Sequence, residues 1–328
     1  MKTPRTSGSL FLFIAWTGFL WAAPAIGAAP SHAQAHAQRL PQTSRHIGSA
    51  RRTQEPSNPT RLPQPVSFRV NRNEGLMVDV WINGAGPYRF AVDTGAGTTI
   101  ITRRVADEGS VALIRGRRTS IAGLTGTTPI TGQDGSVSQL ALGGPDNLVS
   151  SNHRVLVADS LAQGIDGILD PTEAYWPLGY SVDLPRKRIE AFDPARAPLS
   201  LAQAPPGGTV VRWITQGTSR RPFVRLDDGR LVLLDTGTSF GLAFSGIGKS
   251  EDSHQRAGVM DIGGGRLLSK RVQPSTVSIG SLILRGVPTD LLFGVERNSP
   301  ILLGRDALYP FKLILDPVHR LIAIQPSE

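Results

Sequence analysis

Short apolar runs recur along the chain, each closed by a cluster of Gly, Pro, Asn or Asp, while long stretches of helical periodicity are rare. Two of these runs read alike. FAVDTGAGTTIIT (90–102) and LVLLDTGTSFGLAF (231–244) each contain an apolar segment fit for a buried strand, broken at Asp-Thr-Gly, with a second apolar segment a few small residues later. Strands are predicted over 66–70 and 76–82, with a turn over Asn83-Gly84-Ala85-Gly86-Pro87 into a strand over 88–93. A short helix is predicted over 103–108, a glycine-rich hairpin over 119–132 and a closing hairpin over 181–192.

The pattern then starts again. Segments 210–214 and 223–226 read as strands, Asp227-Asp228-Gly229 as a turn, and 231–234 as the strand that delivers Asp235. A last hairpin is predicted from 311–316 and 321–324, so that Asp316 repeats Asp183. Aligning Trp81 with Trp213 leaves about ten extra residues before the second Asp-Thr-Gly, an insertion that a surface hairpin absorbs at small cost. The duplication divides the chain into a first lobe at 66–192, a Pro- and Gly-rich linker at 193–209 and a second lobe at 210–328.

With Asp93-Thr94-Gly95-Ala96 and Asp235-Thr236-Gly237-Thr238 as its core, the sequence resembles the aspartic proteases of the pepsin and retropepsin type, over about residues 66–328. Ile301-Leu302-Leu303-Gly304-Arg305-Asp306 is similar to the apolar-apolar-Gly-Arg-Asp segment of retropepsins. Gly164-Ile165-Asp166-Gly167-Ile168-Leu169-Asp170 is its first-lobe counterpart, and departs from the pattern by carrying Asp170 where Gly is expected. The resemblance implies an all-β fold of two pseudo-twofold-related lobes, each a six-stranded-type β-barrel, with an active-site cleft between them. It implies Asp93 and Asp235 as the catalytic pair, and hydroxyls of Thr94 and Thr236 bonded across the lobe interface. Gly123, Leu124, Thr125 and Gly126 look like a flap over the substrate, and Gly263, Gly264 and Gly265 like the tip of a second one. The flap tyrosine of pepsins is absent, and two flaps suggest a fused, single-chain retropepsin dimer.

The chemistry follows from the pair. Two close, partly desolvated carboxylates share one proton, because ionising one raises the pKa of the other. One then activates water and the other protonates the carbonyl. Gly95 and Gly237 let the backbone approach the carboxylates closely. A hydroxyl at Thr238, against Ala96 in the first copy, marks Asp235 as the base and Asp93 as the acid, with activity expected at mildly acidic to near-neutral pH.

Composition narrows the rest. The absence of cysteine among 328 residues excludes disulfides, thiol catalysis, thiolate zinc sites and lipid attachment at an N-terminal Cys. The six histidines show no ligand spacing, so neither metal nor cofactor is expected. A net charge of +9 suggests non-specific attraction to anionic surfaces, whereas nucleic acid is not an expected partner because no basic helix or aromatic platform accompanies the charge. The expected partner is a peptide or protein substrate, and a monomer suffices because one chain supplies both triplets. Lys2 and Arg5 ahead of the apolar run 10–23 read as a secretory signal over 1–37, with Ala35-His36-Ala37 the best cleavage site, or alternatively as a membrane anchor. Residues 38–65 read as a disordered tether, or alternatively a propeptide, of an exported, periplasmic or secreted protein.

Two other functions fit parts of the sequence. Gly237-Thr238-Ser239-Phe240-Gly241 satisfies G-x-S-x-G, which makes Ser239 a candidate nucleophile with Asp290 and either His254 or His319. The lobes also fit a non-catalytic peptide- or glycan-binding protein of the same fold.

Overall fold

A computed structural model describes residues 61–327 apart from 72–74, 122, 124–128, 162–163, 218, 247–258, 261–265 and 296–298. The proposed signal and tether, up to residue 60, lie outside the described residues. Among the described residues no helix is long and apolar enough to cross a membrane.

The chain is all-β and two-lobed, built on three sheets. Each lobe contributes an eight-stranded sheet rather than a six-stranded one, and the two share one strand order. In the first lobe the order runs Arg69–Asn71, Gly75–Ile82, Ala85–Val92, Gly167–Leu169, Thr99–Thr102, Leu148–Ala158, Ile130–Leu142, Ala112–Ile121. In the second it runs Ile214–Gln216, Ser219–Arg225, Leu231–Asp235, Ile301–Gly304, Leu242–Ser245, Leu282–Phe293, Arg266–Ile279, Val259–Met260. Rungs from Val80↔Leu142 to Ile82↔Leu140 fold the first sheet back on itself towards a barrel. The six-stranded sheet is the one that both halves build together, with three strands from each. Gly179–Asp183 and Phe311–Asp316 pair antiparallel at its centre, through Tyr180↔Leu315 and Val182↔Leu313.

Local chemistry accounts for several elements. Asn83 and Gly84 take φ of 51° and 85°, the left-handed pair that a two-residue hairpin requires, so the turn is shorter than the Asn83–Pro87 stretch suggests and the next strand starts at Ala85. The helix Arg103–Glu108 forms where expected, and its first turn is capped by the Thr102 hydroxyl, which accepts from Val105 N.

The pairing of Trp81 with Trp213 is overturned. Trp213 sits between the strands Thr209–Arg212 and Ile214–Gln216, where the chain passes from the shared sheet into the lobe sheet. In the first lobe that junction is Phe68. Phe68 N donates to Lys187 O and Trp213 N to Arg320 O, each acceptor in a residue with φ of 54°. Phe68 precedes Asp93 by 25 positions and Trp213 precedes Asp235 by 22, so no ten-residue insertion exists.

Each lobe keeps its own small interior, and the two are built from matching rungs. Met77, Ala91 and Ile168 pack in one cluster, and Phe223, Leu233 and Leu302 occupy the same places in the other. A larger cluster, which includes Val92, Leu169, Tyr180, Leu234, Leu303 and Leu315, joins both halves around the shared sheet. Burial of this kind contributes about 25 cal/mol per Å² of apolar surface, and it holds the two Asp-Thr-Gly loops on rigid central strands.

Candidate active site

Both aspartates stand at the end of a buried central strand. Ala85–Val92 lies between an antiparallel partner, Gly75–Ile82, and a parallel one, Gly167–Leu169; Leu231–Asp235 lies likewise between Ser219–Arg225 and Ile301–Gly304. Phe90, Ala91 and Val92 are buried, as are Val232, Leu233 and Leu234, which explains the unbroken apolar runs ahead of each triplet.

At the triplets the ladder stops and the two loops lock together. The Thr94 hydroxyl donates to Leu234 O at 2.6 Å and accepts from Thr236 N at 3.1 Å. The Thr236 hydroxyl donates to Val92 O at 3.3 Å and accepts from Thr94 N at 3.2 Å. Four buried bonds therefore cross between the halves, each lobe capping the strand end of the other.

The carboxyl groups meet across this clamp. Asp93 and Asp235 are buried and in hydrogen-bond contact with each other. A β-carbon on Gly237 would lie 2.5 Å from Asp93 Cγ, and one on Gly95 3.0 Å from Asp235 Cγ. Each loop's glycine thus lies against the opposite carboxylate, and the approach is tighter at Gly237 than at Gly95.

The two acids are held unequally. Asp93 Oδ1 accepts from Gly95 N at 2.7 Å, whereas Asp235 Oδ1 accepts from Gly237 N at 2.8 Å and from Thr238 N at 3.2 Å. Asp93 Oδ2 is buried with no hydrogen-bond partner among the described residues. Burial and the neighbouring Asp235 push Asp93 well above the usual carboxylate range. Burial pushes Asp235 up only to about 6, because the Asp93 hydrogen bond, the two amides and Arg305 favour its charge. The Thr238 hydroxyl is not part of this: it accepts from Phe240 N at 3.3 Å, so the backbone amide of Thr238 does what the sequence assigned to its side chain.

Two buried arginines flank the pair. Arg305 donates from Nε to Thr238 O at 3.2 Å, and Arg221 donates from Nε to Ser219 Oγ at 3.2 Å while packing 3.4 Å from where a β-carbon of Gly97 would lie. Burial lowers both guanidinium pKa values, and the charges of Asp235 and Asp93 oppose that loss. Sequence reasoning missed Arg221 because the Trp81–Trp213 alignment put it inside a supposed insertion.

Of the flap residues, Gly123 follows the strand Ala112–Ile121, while Leu124, Thr125, Gly126 and Gly263 to Gly265 lie outside the described residues. With His319 as the base, the Ser239 triad does not assemble. Asp290 pairs with Arg271 Nε at 2.9 Å and His319 Nδ1 with Asp316 at 2.8 Å, while His254 lies outside the described residues. Ser239 instead lines a cavity of about 380 Å³ with Val70, Leu76, Leu184 and Tyr309, which neither Asp290 nor His319 reaches.

Residues 78–170 match the model of the aspartyl protease family. Over those residues the chain is similar to the aspartyl proteases. That match runs from within the strand Gly75–Ile82 to Asp170, so the likeness of the second half rests on its strand order and on the second Asp-Thr-Gly. No curated protein matches the chain.

Proposed function

We propose that the protein is an exported aspartic endopeptidase that hydrolyses peptide bonds in peptide or protein substrates, using Asp93 and Asp235 as one catalytic pair. The observation that carries this reading is the reciprocal Thr94–Thr236 clamp, which sets two buried carboxyl groups each against the glycine of the opposite loop. Ionised Asp235 takes a proton from the attacking water as its oxygen bonds to the scissile carbonyl carbon. Asp93 gives its proton to the carbonyl oxygen, forming a neutral tetrahedral diol. Asp235 then gives the proton it took from water to the leaving nitrogen, Asp93 takes one back from a diol hydroxyl as the C–N bond breaks, and the carboxylic acid and amine products depart with the pair restored. No protein group outside the pair changes its covalent bonds. A bare, buried carboxylate pair in contact favours this role over simple peptide binding, since burying it has a cost that binding alone does not require.

The pH dependence has a defined sign. The working state needs Asp235 ionised and Asp93 protonated, so kcat/KM rises through about 6, where Asp235 loses its proton, and falls where Asp93 loses its own. Asp93→Asn and Asp235→Asn are each expected to reduce cleavage of a mixed peptide library by at least about 10²–10⁴-fold, the usual worth of a positioned acid or base. Full activity in either variant sinks the proposal, and retained peptide binding with no cleavage by the wild type favours a binding module. Export is checked by cell fractionation, which protein confined to the cytoplasm contradicts, and N-terminal sequencing of the exported protein separates a cleaved signal from a retained anchor.

A further inference from the structure

Asp170 stands where the second lobe has Gly304. The parallel rungs Phe90↔Gly167, Ala91↔Ile168 and Val92↔Leu169 lead to Asp93 beside Asp170, as Leu234↔Leu303 leads to Asp235↔Gly304. Neighbouring strands lie about 4.8 Å apart, so the register alone brings a third carboxyl next to the pair, on one side only. Asp93 N donates to Leu169 O at 3.0 Å, which ties the catalytic loop to the residue before Asp170.

Asp170 is fully buried and fastened. Its Oδ1 accepts from Thr172 N at 2.9 Å, capping the helix Pro171–Tyr175, and its own amide donates to Thr99 Oγ1 at 3.3 Å. The residue at the same place in the second lobe, Gly304, caps the helix Arg305–Leu308 with no side chain at all. Helix capping therefore does not require a carboxyl here, and a neutral Ser or Asn caps as well.

We propose that Asp170 is a positioning residue that keeps the proton on Asp93 as the pH rises. The inference rests on reading Asp93 and Asp235 as the catalytic pair. Burial, with Glu173 on the same helix, pushes Asp170 up to about 8. Below that pH it is a neutral neighbour; above it, a new negative charge beside Asp93 makes a second ionisation of the pair harder. The catalytic monoanion then survives to higher pH than the pair alone permits.

The surrounding charges are those that the argument needs to count. Tyr180, from the strand Gly179–Asp183, meets Thr172 Oγ1 at 2.8 Å and is held neutral by burial; His153 reaches Thr99 Oγ1 at 3.0 Å and is held neutral by a pKa lowered to about 4. From the second lobe, the Arg221 guanidinium feels the charges of Asp235, Asp93 and Asp170, and Arg220 NH1 pairs with Glu173 at 3.3 Å. Of these groups, Asp170 is the one that passes from neutral to anionic near pH 8.

The test is a carboxyl titration by difference infrared spectroscopy on the full chain, with Asp93→Asn assigning the Asp93 band. In Asp170→Asn, and in Asp170→Ser as a second neutral cap, the Asp93 proton is expected to leave about one pH unit earlier than in the wild type. The alkaline limb of kcat/KM should move down by the same amount while the acid limb stays. An unchanged Asp93 midpoint in whichever variant folds overturns the inference. A wild type that cleaves no peptide overturns the hydrolase reading instead, and the infrared midpoints still decide on Asp170.

Discussion

The loops at Asp93 and Asp235 share a triplet, a register and a glycine pressed on the opposite carboxyl, yet their surroundings differ, and the differences compensate. Continuing the rungs Leu76↔Val92 and Phe223↔Leu233 by register sets Arg221 at the position that Gly75 holds in the first lobe. Arg305, first in the helix after Gly304, corresponds to Pro171 after Asp170. A β-carbon on Gly75 would lie 3.6 Å from Arg305 Nη1, and one on Gly97 3.4 Å from the Arg221 side chain. One guanidinium therefore flanks each side of the pair, but one comes from a strand and the other from a helix start. The lesson is that duplication preserved the strand ends and the clamp, while charge and packing around them were redistributed between pseudo-equivalent positions.

The largest effect that tests this comparison comes from the glycines. Ala at position 237 would bring a β-carbon to 2.5 Å from Asp93 Cγ, and Asp93 is pinned by Gly95 N at 2.7 Å. The carboxyl has to move, and a misplacement approaching 1 Å costs about 10²-fold in rate. At position 95 the corresponding distance to Asp235 Cγ is 3.0 Å, which a small shift relieves. Gly237→Ala is expected to lose about 10²-fold or more in kcat and Gly95→Ala clearly less. Equal losses in steady-state assays break the claim that the loops are unequally packed.

Next comes the clamp. Thr94→Val removes a 2.6 Å bond to Leu234 O and Thr236→Val a 3.3 Å bond to Val92 O, each leaving a buried carbonyl without that donor. Such orphaning costs about 1–3 kcal/mol, and the shorter bond should cost more. Denaturant unfolding should therefore order stability as wild type, Thr236→Val, Thr94→Val. The double variant should lose less than the sum, because the two hydroxyls also accept from each other's amides.

Much of this was legible in the sequence. Apolar runs closed by turn residues gave the strands, the short helix was expected at Arg103–Glu108 where it forms, and two Asp-Thr-Gly triplets on repeated patterns pointed to a two-lobed chain. What escaped depends on long-range register, which local periodicity does not encode. Trp81 and Trp213 share an identity but not a position, and the true partner of Trp213 is Phe68, visible only once both residues are seen to hinge between two sheets. The same misalignment hid Arg221. Asp170 was noticed as a departure from pattern, but its place beside Asp93 comes from the parallel ladder, between segments 77 residues apart.

The smallest expected effect belongs to Thr238, and it separates two explanations of why Asp235 is the more acidic partner. If the hydroxyl mattered, Thr238→Ala would destabilise the ionised carboxylate, raise the Asp235 pKa and move the acid limb of kcat/KM to higher pH. The geometry argues otherwise. The hydroxyl accepts from Phe240 N at 3.3 Å, while the amide of the same residue donates to Asp235 Oδ1 at 3.2 Å, and alanine keeps that amide. Thr238→Ala should therefore lose about 1 kcal/mol of stability or less, from one long loop bond, seen as a fall in Tm of a few degrees at most. Its acid limb should stay with that of the wild type near about 6, where Asp235 ionises. An acid limb displaced upward by half a pH unit or more returns the credit to the hydroxyl and removes the backbone from the account of how the two lobes differ.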